Sequence, residues 1–122
     1  MKKIFTLSTC DTSKRILKNS GVLDLDFEVI DIKKRAISEE ELVEIKALVG
    51  SYEDLFSRRS QKYKSLKLKE VNLSEEDYKK YILQEYTFLK RPVVIDDDHV
   101  FVGNSKANVE LLNQYGLQKS LR

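Results

Sequence analysis

The feature that most constrains this chain is a strand, a helix and a second strand packed into its first 32 residues. Residues 3–7, Lys-Ile-Phe-Thr-Leu, form a short β-prone run that stops at Ser8 and Thr9. Asp11, Thr12 and Ser13 then offer N-cap side chains. Ile16 and Leu17 follow at helical spacing, and Asn19-Ser20-Gly21 provides a stop, which predicts a helix from about residue 12 to 20. Residues 26–32 read as a second strand, with Phe27, Val29 and Ile30 toward a core. A βαβ crossover makes these strands parallel and sets the loop after the first strand at the carboxyl edge of the sheet, where open α/β folds bind ligands. Cys10 lies in that loop.

The rest of the chain alternates helical and strand signals. Ser38-Glu39-Glu40-Glu41 is a capping box, followed by Leu42, Ile45, Leu48 and Val49 at helical spacing and closed by Gly50. Ser74-Glu75-Glu76-Asp77 opens another helix, with Tyr78, Tyr81, Ile82, Tyr86 and Leu89 as its apolar stripe. After Arg91-Pro92, two apolar runs, Val93-Val94-Ile95 and Val100-Phe101-Val102, flank Asp96-Asp97-Asp98 and predict a hairpin. Gly103-Asn104-Ser105 leads into a last helix with Val109, Leu111, Leu112 and Tyr115 inward. At 122 residues, this is one domain. Its organisation is β-α-β, a helical insert at about 36–88, then β-β-α.

Charge and cysteine content narrow the function. With 22 Lys and Arg against 20 Asp and Glu, the net charge of +2 supplies no global field for nucleic acid or membranes, so an anion site must be local. No apolar run approaches the roughly 20 residues that span a bilayer. The start MKKIFTLSTC reads as a strand rather than a leader, and a cytoplasmic protein is expected. The one cysteine excludes an internal disulfide. A lone cysteine is commonly a small buried hydrophobe. This one, however, stands where helix N-terminal amides favour an anion, with Lys14 and Arg15 in the first turns, and such surroundings lower a thiol pKa. A reactive thiolate at Cys10 is therefore the favoured reading.

Other candidates carry weaker signals. Arg91 precedes the only proline, Pro92, at a place suited to a cis bond, and could face the Cys10 loop. Arg58 and Arg59 form a basic pair that is either a solvated face or an oxyanion clamp, a role for which the guanidinium fork is suited. His99 beside three aspartates shows no metal-ligand spacing, and a turn accounts for the aspartates, so no metal is assigned.

Three motifs taken together, Cys10-Asp11-Thr12-Ser13-Lys14-Arg15, Leu55-Phe56-Ser57-Arg58-Arg59-Ser60 and Leu89-Lys90-Arg91-Pro92-Val93-Val94, resemble the arsenate reductase family that includes ArsC, Spx and YffB. The resemblance runs over essentially the whole chain. It implies an α/β fold with a thioredoxin-like mixed sheet, a catalytic Cys10 and a cis Pro92 beside it. It also implies oxyanion-binding roles for Arg91 and Arg59. Arg58, Lys14 and Pro92 are further substrate-binding candidates. The chain departs from the family in two places. Phe101-Val102-Gly103-Asn104 stands where the best-characterised reductases carry a third arginine, and Ser13 replaces the second thiol of C-x-x-C.

The expected activity is that of a thiol-dependent oxidoreductase. Cys10 attacks a small oxyanion or disulfide substrate, Ser13 stands beside the thiolate, and glutathione or a thioredoxin- or glutaredoxin-type protein acts as reductant, with no bound cofactor. The alternative is an Spx-like regulator that binds RNA polymerase and uses Cys10 as a redox sensor. Neither reading involves direct nucleic-acid or membrane binding.

Overall fold

A computed structural model describes residues 1–121. The chain divides into two compact units, one from Met1–Arg35 together with the chain from Arg91 on, the other Ala36–Lys90.

The first unit contains the whole sheet. β1 (Lys2–Thr6) pairs in parallel with β2 (Glu28–Asp31) and antiparallel with β3 (Val93–Asp96), and β3 pairs antiparallel with β4 (His99–Val102), giving the order β2-β1-β3-β4. This is the mixed sheet expected from the sequence. α1 (Asp11–Ser20) crosses from β1 to β2, and α5 (Lys106–Ser120) follows β4. β1 and β3 form the middle of the sheet, and Ile4, Phe5, Val93, Val94 and Ile95 are fully buried, so these short strands read as continuous apolar runs rather than alternating ones. Ile4 and Val94 are register partners and share one face with Ile16, Leu17, Val22, Leu112 and Tyr115.

Local chemistry sets the ends of these elements. Gly21 (φ 79°) closes α1 in the left-handed conformation, its N–H donating to Lys18 O. Ser105 Oγ accepts from Asn108 N and opens α5. Between β3 and β4 the turn places Asp97 at φ 44°, which aspartate tolerates better than most residues. The Asp97 carboxylate then holds the N-terminal ammonium at 2.7 Å. Val29 and Leu111, expected inside, are instead half exposed. Val29 sits on the edge strand β2, where Ile30 takes the buried side, and α5 buries Leu112 and Tyr115 while Leu111 points away.

The second unit is helical: α2 (Glu39–Val49), α3 (Gln61–Ser65) and α4 (Glu75–Gln84), joined by short 3₁₀ turns. Both expected capping boxes form, Ser38 with Glu41 and Ser74 with Asp77. Leu42 and Ile45 of α2 are buried, whereas Leu48 is exposed. α4 ends earlier than the sequence suggests. Glu85 turns extended, Tyr86–Phe88 forms a 3₁₀ turn, and Leu89 bridges to Phe56, with Ser57 N donating to Phe88 O and Lys90 N to Leu55 O. Packing explains the break, because Phe56 stacks on Phe88 and meets Tyr78 edge-on, both at a centroid separation of 4.9 Å. Such pairs each add about 0.5–1.5 kcal/mol beyond their burial. No described helix is long and apolar enough to cross a membrane.

A close backbone approach in the first unit joins α1 and α5. A Cβ on Gly116 of α5 would overlap the Ser20 carbonyl of α1 and reach Val22 Cγ1 at 3.7 Å. Only glycine lets these helices meet at this spacing, since the obstacle is backbone and cannot rotate aside. Gly116→Ala is therefore expected to lower the unfolding free energy by about 2 kcal/mol or more, the range for overpacking a rigid contact. Chemical denaturation would measure it, and an unchanged midpoint would mean that α1 and α5 separate without cost.

Candidate functional site

The sheet register collects the candidate residues at one edge. Because β1 and β3 run antiparallel with Phe5 opposite Val93, the chain leaving β1 meets the chain entering β3. The parallel pairing sets Thr6 opposite Asp31, so the end of β2 reaches the same edge. Gly103, following β4, donates its N–H to Pro92 O at 2.8 Å. The Arg91–Pro92 bond is cis, as its position before the strand led us to expect, and Pro92 is buried.

Cys10 is the N-cap residue of α1, in extended backbone (φ −101°, ψ 101°), and is partly buried. Its own N–H donates to Leu7 O at 2.9 Å, closing the turn out of β1, and its carbonyl accepts from Lys14 N at 3.1 Å, starting the helix. Ser13, one turn on and fully buried, donates its hydroxyl to Cys10 Sγ at 3.2 Å. Burial acts to raise the Cys10 pKa, but the Ser13 hydroxyl and amide, then the charge and hydrogen bonding of Arg91, outweigh it, and the thiol lies below its ordinary value. The cations expected to do this from the sequence, Lys14 and Arg15, are exposed side chains and are not among the causes of the shift. The arginine that acts on the thiol comes from the far end of the chain.

Asp31 is a participant that sequence reasoning missed. Its Oδ1 accepts from Lys33 N at 3.1 Å and from Ser8 N at 3.5 Å, tying the loop that leads to Cys10 to the end of β2. The Ser8 hydroxyl leads in holding the Asp31 carboxyl below its ordinary value against an opposing desolvation, and the Lys33 and Ser8 amides add to it. An aspartate closing a β-prone run, in parallel register with the last residue of β1, is the signal that could have found it.

The other basic candidates lie in the helical unit. Arg58 donates through Nη2 to Glu53 Oε2 at 2.8 Å and to Tyr78 Oη at 3.0 Å, and the Glu53 hydrogen bond leads in raising its pKa. Arg59 is exposed, and its N–H lies 3.4 Å from Ser57 Oγ. Ser60 is buried, caps α3 through Lys62 N and shares a 2.7 Å hydrogen bond with Thr87 Oγ1. In the sheet unit, Cys10, Ser13 and Arg91 come together, and Pro92 follows Arg91 through the cis bond. Among the described residues no group of three or more His, Cys, Asp and Glu is placed to hold a metal.

A strand, a helix capped by a cysteine, and a cis-proline at the neighbouring strand define the thioredoxin-like class of α/β proteins. Residues 5–112 match the ArsC family, and the chain belongs to that family. Solved structures with the same fold include an arsenate reductase from Vibrio cholerae (19% identity, TM-score 0.74, covering 91% of this chain and 96% of that one). An ArsC-family-related protein from Bacteroides fragilis (23%, 0.76, 91% and 96%) and SACOL0876 from Staphylococcus aureus (24%, 0.72, 91% and 97%) are similar in the same way. No curated protein sequence matches the chain.

The site yields a titration prediction. Alkylation of Cys10 should show a midpoint below the ordinary thiol value of about 8.5, and both Ser13→Ala and Arg91→Met should move it upward. Because the folded pKa is the lower one, the unfolded chain binds more protons between the two values. The thiolate's stability contribution is therefore complete above the unfolded pKa and is lost as pH falls through the folded one. The stability difference between the native protein and Cys10→Ala should accordingly grow as pH is raised through that window. A flat difference would show that the thiol is not tuned.

Proposed function

We propose that the protein is a thiol-dependent oxidoreductase of the arsenate reductase type, with Cys10 as nucleophile. The observation that carries this reading is the thiol at the helix N-terminus with a lowered pKa, held by the Ser13 hydroxyl and the Arg91 guanidinium. A cap residue faces free amide groups and the positive end of the helix dipole, which favour the thiolate and any oxyanion brought to it. Arg91 adds a planar fork of donors that suits a tetrahedral oxyanion.

With arsenate as substrate, the Cys10 thiolate attacks arsenic and a protonated oxygen leaves as water, giving a sulfur–arsenic(V) adduct. An external thiol, glutathione or a redox partner protein, then attacks the Cys10 sulfur. The electron pair of the S–As bond leaves with arsenic as arsenite, and Cys10 remains in a mixed disulfide. A second thiol displaces Cys10 and restores the thiolate, so two external thiols become one disulfide as arsenic(V) becomes arsenic(III). Ser13 donates a hydrogen bond to sulfur throughout but cannot form a disulfide, which is why the resolving thiol is external in this reading.

The test is arsenate turnover with glutathione and a glutaredoxin or thioredoxin system. Cys10→Ser should abolish it, and Arg91→Met should lower kcat by about 100-fold, the effect of removing one oxyanion donor. No turnover, together with co-purification of RNA polymerase, would instead favour the regulator. Independently, oxidised glutathione should add one glutathione per chain. Ser13→Cys should lose that adduct for an internal bridge two hydrogens lighter, and retention of the adduct without a bridge would show that positions 10 and 13 are not a redox pair.

A further inference from the structure

The helical unit carries a cavity of about 330 Å³ lined by Arg58, Tyr63, Lys64, Lys67, Lys69 and Glu70. Four cations and one carboxylate around a single hollow depart sharply from the near balance of the chain as a whole. Backbone geometry puts them there. α3 ends at Ser65, Lys67 takes the left-handed conformation (φ 54°, ψ 39°), and a 3₁₀ turn follows over Leu68–Glu70. Leu68 is buried and pins this turn, so its neighbours Lys67 and Lys69 stay exposed and line the hollow with Lys64. None of the three lysines makes an ion pair among the described residues.

The remaining walls are held firmly. Arg58 is fixed on Glu53 and Tyr78 through one terminal nitrogen, and a guanidinium has five N–H donors, so donors remain for a ligand. The Tyr63 ring packs edge-on against Phe56 at 6.1 Å. Gathered like charges raise the energy of the empty hollow and lower that of an anion within it. The volume is at the lower end of the range of about 300–1,000 Å³ for small organic ligands. Glu70 offers an acceptor for a ligand hydroxyl, and the Tyr63 ring and lysine stems offer apolar wall for an organic body.

We propose that this cavity binds a phosphorylated, hydroxyl-bearing small molecule of the sugar-phosphate or nucleotide class, with its phosphate on Lys64, Lys67, Lys69 and Arg58. This proposal does not rest on the oxidoreductase reading.

The experiment is a titration of the full chain, followed by amide NMR and calorimetry, with ribose 5-phosphate, AMP, adenosine, inorganic phosphate and a single-stranded oligonucleotide. Saturable shifts confined to residues 58–70 are expected from AMP or ribose 5-phosphate, with no response to adenosine and weaker binding of inorganic phosphate. Lys64→Gln and Lys67→Gly should each weaken binding by about tenfold or more, the effect of one charged hydrogen bond. Glycine adopts the left-handed turn without cost, so Lys67→Gly removes the charge and keeps the backbone. Cys10→Ser should bind as the native protein does, which separates failure here from failure of the oxidoreductase reading. Three results would each overturn the proposal: no localised response to either organic phosphate, inorganic phosphate binding as tightly as both, or an oligonucleotide binding more than tenfold tighter than AMP with a steep salt dependence.

Discussion

Everything at the site depends on β1 being hydrogen-bonded on both sides. A strand paired in parallel on one flank and antiparallel on the other brings together chain segments that no single pairing could. Its parallel neighbour delivers Asp31, and its antiparallel neighbour delivers Arg91 and Pro92, all beside the point where β1 gives way to Cys10. The full burial of Ile4, Phe5, Val93 and Val94 resists slippage, because a shift of one residue would turn each side chain to the opposite face, into packing shaped for another residue.

The thiol balances opposing influences. Partial burial alone would raise the Cys10 pKa, and full exposure would let water screen Arg91. The observed position is intermediate: a partly buried cysteine, a fully buried hydroxyl donor in Ser13, and a cation just ahead of the neighbouring strand. Because Ser13 has no exposed surface, its hydroxyl is held in place by packing and does not depend on solvent to orient it. Asp31 works one step away, holding the loop through Ser8 N while its negative charge is drawn onto the backbone amides of residues 8 and 33.

What could be read from the sequence was whatever is decided locally. The capping boxes at Ser38 and Ser74, the βαβ order and the hairpin around Asp97 depend on neighbours within a few residues, and each forms. Which apolar residues are buried depends on what lies opposite them. Val29, Leu48 and Leu111 fit their periodic patterns and still face outward. α4 stops short because Phe88 and Leu89 gain more by joining Phe56 than by continuing a helix, a competition between distant segments. The lysine-rich stretch that forms α3 and its following turn shows no apolar period, so periodicity alone left it unread. At the site, Cys10 was visible from its place between strand and helix. That Arg91, rather than the adjacent Lys14 and Arg15, acts on its sulfur is a matter of sheet register; its place before Pro92 allowed it to face the loop, and the family resemblance gave it a role there.

The contact between Gly116 and Ser20 gives the last helix a part in placing Cys10 that its own residues do not suggest. α1 has its C-terminal end seated against the α5 backbone and its N-terminal end beneath the sulfur of Cys10. A helix of ten residues is a rod of about 15 Å with little give along its axis. It therefore behaves like a strut resting on a block, so the seat at Gly116 bears on where the Cys10 end of the helix lies. α5 thus supplies the stop against which the helix that bears Cys10 is seated.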